Sequence, residues 1–169
     1  MDAHSVRAFS FDEQLSVEAR HNATLDAFFA NAYDIEKAGH ADERRGIDRW
    51  FTDRCTGWRS SVQYKADTVA TRTHNAFIET ISVDKPGTSV PGWAHTCMAD
   101  WLFYYVPGDE LCYCLRPDII RARLANWRGK FRSAKVPNKC RSGAIEYHTH
   151  GLLVPLCELE ACADEVVSL

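Results

Sequence analysis

Residues 101–106 read Trp-Leu-Phe-Tyr-Tyr-Val, six side chains with no charged or amide group to mark a solvent face. Pro107-Gly108-Asp109 then breaks the run, and Leu-Cys-Tyr-Cys-Leu at 111–115 pairs back across that turn. An apolar run this short, bounded this way, is expected to be a strand buried on both faces. Such a strand needs a layer of structure on each side, so the chain must wrap helices and further strands around a central sheet. Its 169 residues suffice for one respectable core and one compact domain.

The remaining segments fit that scheme. Residues 14–38 place Leu15, Ala19, Leu25, Phe28, Phe29 and Ala32 at spacings of three and four, which predicts a helix closed by a left-handed cap at Gly39. Residues 46–52 and 58–66 read as strands around a turn at 53–57, and 76–83 as a third strand completing a meander. Two Pro and two Gly in 84–92 break the chain. Pro117 opens an amphipathic helix over 117–128, followed by a basic loop (129–142), a strand (144–149) and a final helix (155–167) that starts at Pro155. The expected fold class is α/β, one domain over 1–169, with a mixed central sheet flanked by helices.

Charge and cysteine usage narrow the function classes. The net charge of −3 rules out an electrostatic grip on nucleic acid by the whole molecule, so any such contact must be local. Residues 116–141 supply it: Arg116, Arg121, Arg123, Arg128, Lys130, Arg132, Lys135, Lys139 and Arg141 stand against Asp118 alone. The run reads equally as a solvated face or as a phosphate-facing patch. Seven cysteines, an odd number without a CxxC pair, predict buried thiols in a reduced compartment. The opening residues contain no apolar leader core, and no run is long enough to span a bilayer, so a cytoplasmic protein without a membrane partner is expected.

Three polar residues stand where strand physics does not favour them. Asp48 lies inside a short strand, where Asp is disfavoured. Gln63 and Lys65 share one face of the next strand, roughly 7 Å apart. If the two strands are neighbours, Asp48 comes to stand beside Gln63. An acid, an amide oxygen and an ammonium then converge, a group suited to phosphodiester hydrolysis. Asp48 and the Gln63 carbonyl oxygen would hold Mg²⁺, with Mn²⁺ as a substitute and the Tyr64 main-chain carbonyl as a further ligand. Lys65 would orient the attacking water or stabilise phosphate charge.

The order Gly-Ile-Asp-Arg-Trp (46–50) then Ser-Val-Gln-Tyr-Lys-Ala-Asp (61–67) resembles the PD-(D/E)xK nuclease superfamily. The continuation Asn75-Ala-Phe-Ile-Glu79, Gly92-Trp93 and Ala99-Asp100 before the aromatic strand is similar to its phage-type and restriction-like or resolvase-like branches. The resemblance covers about residues 14–128 and implies a restriction-endonuclease-like αβββαβ core, with 129–169 as a strand–helix extension. It implies Asp48 as a metal ligand and Lys65 as the motif lysine, with Gln63 where an acid is usual. Some restriction-like members use Gln-x-Lys, but the exchange removes one negative charge and weakens Mg²⁺ binding. It further implies an acid from the first helix, best matched by Glu18, with Glu79 as a second supplement. The family's helix between its third and fourth core strands has no counterpart in the Pro- and Gly-rich stretch 84–100.

The function expected is a metal-dependent endonuclease acting on DNA, with a possible homodimer to cut both strands. The alternative is a decayed nuclease fold that binds nucleic acid or protein. His74 and Asn75 would touch phosphate or form an Asx turn. Arg121, Arg128, Lys130 and Arg132 would track the DNA backbone. Cys112, Cys114, Cys140, His148 and His150 match no common zinc spacing, and two small apolar residues in a core is the plainer reading of the Cys-x-Cys.

Overall fold

The computed structural model describes residues 11–140 and 142–169. The chain start, the side chains of 11–16 (Leu15 among them) and Arg141 of the basic run lie outside the described residues. The element order is α1 (Phe11–Phe29), β1 (Tyr33–Lys37), α2 (His40–Glu43), β2 (Arg49–Asp53), β3 (Arg59–Ala66), α3 (Ala70–Thr73), β4 (Asn75–Lys85), β5 (Thr88–Pro91), α4 (Trp93–Thr96), β6 (Trp101–Val106), β7 (Leu111–Leu115), α5 (Pro117–Lys130), β8 (Ser133–Lys139), β9 (Ile145–Pro155), α6 (Leu156–Glu160) and β10 (Glu165–Ser168).

Two sheets result. The first has the order β1-β2-β3-β6-β7-β10, antiparallel throughout except where β6 runs parallel to β3. The second is antiparallel, in the order β5-β4-β9-β8. The aromatic strand β6 is buried on both sides, as expected. Phe103 and Tyr105 join Leu25, Phe51, Val62, Tyr64, Cys112 and Cys114 under α1. Leu102, Tyr104 and Val106 face the other way, onto Ala76, Ile78, Leu152 and Val154 of the second sheet and Ile120, Leu124 and Trp127 of α5. The layers are thus α1, the mixed sheet, then α5 with the second sheet. No described helix is long and apolar enough to cross a membrane.

Five expectations are corrected. The first helix stops at Phe29, and Tyr33–Lys37 is a strand whose half-buried Tyr33 and Ile35 alternate with exposed Asp34 and Glu36. Gly39 consequently has an extended backbone (φ −81°) and precedes α2, so it is no left-handed cap. The strand after Lys65 does not complete a meander: β4 leaves for the second sheet, and β1 takes the third place. The basic stretch expected as a loop contains β8, an edge strand whose Lys and Pro are tolerated because one side of it is unpaired. The final helix is only five residues long, and β-branched Val166 and Val167 instead form β10 against β7.

Candidate metal and phosphate site

The site is built on main-chain register. Asp48 lies one residue ahead of β2, and both of its peptide groups are engaged. Its N–H donates to Val62 O (2.9 Å) and its carbonyl accepts from Ala38 N–H (3.0 Å). Arg49 pairs with Val62 in the last pair of the β2–β3 ladder, and Asp48 reaches the same Val62 carbonyl, next to Gln63. The Asp48 Oδ2 reaches one residue further and accepts the Tyr64 N–H at 2.7 Å. Val62 and Tyr64 face α1, so alternation sends Gln63 and Lys65 to the other face.

Gln63 is 6% exposed, and its Oε1 is buried without a hydrogen-bond partner. A buried acceptor in that state costs about 1–3 kcal/mol. The Tyr64 carbonyl opens the same way. Asp67 N–H bonds Tyr105 O of β6, which turns residues 63 and 65 towards β6 and the peptide groups of 64 towards Asp48. Asp48, Gln63 and the Tyr64 main chain thus meet at one end of the β2–β3 ladder, with the half-buried Lys65 two residues beyond Gln63.

Gly46 and Cys97 wall this spot. Gly46 is left-handed (φ +73°), and a Cβ there would lie 3.1 Å from both Gln63 Nε2 and Cys97 Cα. Cys97 is buried, and its Sγ approaches Gly46 O at 3.6 Å. Burial pushes the thiol pKa up, Lys65 and Arg121 pull against it, and Asp48 adds to it. Arg121 of α5 reaches the same wall, donating from Nη1 to Cys97 O at 2.6 Å.

A second cluster braces the site from behind. Arg49 forks onto Asp26 of α1 (Nε at 3.0 and 3.1 Å, Nη2 at 2.9 Å) and donates from Nη1 to Asp48 O at 2.9 Å. Its guanidinium lies 5.5 Å from the centre of the Tyr64 ring, and the Tyr64 hydroxyl donates to Asp26 at 3.0 Å. Burial, and then the Asp26 charge, hold the Tyr64 phenol well above its ordinary pKa. Sequence reasoning missed this cluster. It also missed Asp67, whose carboxylate accepts from Val69 and Ala70 N–H (2.9 Å each), Phe77 N–H (3.1 Å) and the Tyr104 hydroxyl (2.6 Å). Asp67 ties the two sheets together just past Lys65. The signal available was an Asp directly after a strand, a position that favours local capping.

The other residues singled out are more scattered. Glu18 is exposed on α1, the helix that covers the opposite sheet face from Gln63. Glu79 lies on β4 and accepts the Trp93 N–H (3.3 Å) at the start of α4, whose end leads into Cys97. His74 is left-handed (φ +54°) and Asn75 Nδ2 donates to Thr73 O (2.6 Å), a local turn at the root of the second sheet. Arg128 contacts His95, Lys130 pairs with Glu158, and Arg132 is exposed just past α5.

The five zinc candidates do not converge. Cys112 and Cys114 are buried under α1, while Cys140 lies beyond β8 in the other sheet, beside Ser142 (3.0 Å), and His150 contacts Asp84 (2.8 Å). The hydrogen bond to Cys114, and then burial, hold the Cys112 thiol far above its ordinary pKa. Among the described residues no three His, Cys, Asp or Glu side chains gather into a metal-binding group. All seven cysteines are unpaired.

No protein-family profile matches the chain. No curated protein sequence matches it either. Among solved structures, a bacterial homing endonuclease, I-Ssp6803I, overlays with a TM-score of 0.43 at 20% identity, covering 62% of this chain and 68% of that one. An overlay that loose carries no chemistry from one protein to the other.

Proposed function

We propose that the chain is a metal-dependent endonuclease that hydrolyses phosphodiester bonds in DNA, a divergent relative of the PD-(D/E)xK nucleases. One observation carries the reading: Gln63 Oε1 is buried without a partner on the strand whose Tyr64 N–H holds the Asp48 carboxylate, with Lys65 on the same face as Gln63. The topology supports this on strands other than those expected. A helix precedes three antiparallel strands, and β6 joins parallel to the third. The family's crossover helix is replaced by a passage through the second sheet.

The donors fit Mg²⁺ or Mn²⁺. Asp48, Gln63 Oε1 and the Tyr64 carbonyl are hard oxygens, and binding a cation gives the orphaned Gln63 oxygen a partner. Only one of the three is charged, so affinity is expected to be modest. When bound, the cation supplies Lewis acidity and a water of lowered pKa. The chain does the positioning. The Tyr64 N–H fixes one Asp48 oxygen and leaves the other for a ligand. Lys65 offers its ammonium to the water or to charge developing on the phosphate. Arg121 and Arg128 on α5, with Arg132 beyond it, offer guanidinium forks to neighbouring phosphates. Of the two supplementary acids, Glu79 is the better placed, because α4 links it to the Cys97 wall. A two-fold dimer would set two such sites on one duplex.

The test is cleavage of labelled duplex, single-stranded and branched DNA in Mg²⁺, Mn²⁺ or EDTA by the native chain, Asp48→Ala and Lys65→Ala. Metal-dependent cutting abolished by both substitutions is the expected result. Cutting that neither substitution changes would remove these residues from the reaction. Binding without cutting on every substrate would turn the assignment to a decayed, DNA-holding form of the fold.

A further inference from the structure

The second sheet is longer than the core it covers. Strands β4 and β9 have eleven residues each, about 36 Å of extended chain. Only Ala76 and Ile78 of β4, with Leu152 and Val154 of β9, enter the central apolar cluster. Register shifts at Glu79/Ile81 and Ile81/Asp84 mark where the sheet leaves it. Beyond them, Ile81–Lys85 and Ile145–His150 pair with β5 and β8, neither of which buries a single residue. Half of a four-stranded sheet therefore projects from the body.

The chemistry of that projection is specific. Among the described residues, 81–91 and 135–150 carry Lys85, Lys135 and Lys139 against Asp84 and Glu146, in a chain of net charge −3. Of the acids, Asp84 is already engaged by His150 (2.8 Å) and Lys135 (3.6 Å). Exposed Val136 (38%) and Ile145 (54%) add apolar contact surface on the β8–β9 ribbon, with Asn138 and Thr149 between them. A two-stranded ribbon fits the major groove of B-form DNA, and apolar side chains there can meet thymine methyl groups.

We propose that the two strands of the β8–β9 ribbon, Ser133–Lys139 and Ile145–Pro155, dock in the major groove of duplex DNA, with Lys135 and Lys139 on the flanking phosphates. This rests on the DNA-cleaving reading above and names where the duplex is held. The hairpin sets register on the substrate, and the first sheet does the chemistry.

Binding of a labelled 30-base-pair duplex by the full chain, measured in EDTA across a salt series, tests this. Lys135→Gln/Lys139→Gln, with a melting curve to verify folding, is expected to weaken binding about tenfold. It should also lower the salt slope by about 2, two phosphate contacts at about 0.9 each. Cleavage at saturating DNA should be unchanged while KM rises, whereas Asp48→Ala should keep binding and lose turnover. Guanine N7 methylation supplies a second readout, because N7 lies in the major groove and the bound hairpin should protect it. An unchanged slope in the hairpin variant, N7 left unprotected, or a slope lost only in Arg121→Ala/Arg128→Ala would overturn the hairpin assignment and leave the nuclease reading standing. Absence of salt-dependent DNA binding by the native chain would overturn both.

Discussion

Gln63→Glu is the most discriminating single change. Residue 63 lies between Val62 and Tyr64, both of which hydrogen-bond Asp48, so the two side chains are taken at ~5 Å, the spacing of opposed strand residues. At an effective dielectric of about 20, two like charges at that distance repel by about 3 kcal/mol. Lys65, ~7 Å away along the strand, returns about 2 kcal/mol. Burial of a side chain only 6% exposed adds a desolvation cost. The metal-free variant should therefore be about 2–3 kcal/mol less stable than the native chain at pH 8, a melting temperature roughly 4–12 °C lower. The introduced carboxyl has a folded-state pKa above its unfolded value. Its penalty is therefore complete above the folded pKa and fades as pH falls towards the unfolded one, so the gap in EDTA should narrow at pH 5. A bound divalent cation reverses the balance, since ligand at 100 times its Kd adds about 2.7 kcal/mol. In saturating Mg²⁺ the variant should melt at or above the native chain, and half-maximal cleavage should need less metal. Melting curves in EDTA and in Mg²⁺ at the two pH values read all of this. A deficit that Mg²⁺ does not narrow would refute metal binding between residues 48 and 63.

Three further outcomes follow from the same geometry. Asp26→Ala strands Arg49, whose side chain is 11% exposed, and removes the acceptor of the Tyr64 hydroxyl. The usual 3–5 kcal/mol for breaking a buried pair is reduced because Asp26 is itself 32% exposed, so a loss of about 2–3 kcal/mol should appear in urea unfolding. Gly46→Ala puts a side chain at φ +73° against Gln63 and Cys97, which should cost about 2 kcal/mol in thermal melting and lower turnover more than DNA affinity. Tyr104→Phe deletes the hydroxyl shared by Asp67 and the Phe77 N–H, and should cost about 1.5–3 kcal/mol in the same assay, without changing the metal dependence of cleavage.

Legibility in the sequence followed the range of the interaction that decides each element. Trp101–Val106 and its hairpin partner were readable because their own side chains report burial on both faces. The β2–β3 pairing and the shared face of Gln63 and Lys65 were readable because alternation is a property of one strand, and pairing across the short turn at 53–57 is local. The failures concern partners distant in sequence. Tyr33–Lys37 continues the helical spacing of the preceding segment, and only its ladder to Arg49–Asp53 makes it a strand. Asn75–Lys85 is a strand wherever it lies, but its neighbour is Ile145–Pro155, some seventy residues on, and nothing local distinguishes that from pairing with Arg59–Ala66. The same limit hid the support of the site. Asp26 carries an ordinary helix-surface sequence signal, yet the Arg49 it holds also hydrogen-bonds the Asp48 carbonyl. Asp48 precedes the strand that Arg49 opens, with its N–H on β3 and its carbonyl towards Ala38, while the Arg49 side chain turns to Asp26 under α1. Strand alternation thus separates Gln63 and Lys65 from Val62 and Tyr64, and on the latter face Asp26 of α1 holds both Arg49 and the Tyr64 hydroxyl. Substitutions behind the sheet should therefore act on the placement of Asp48 and on stability, and those on its front on the chemistry.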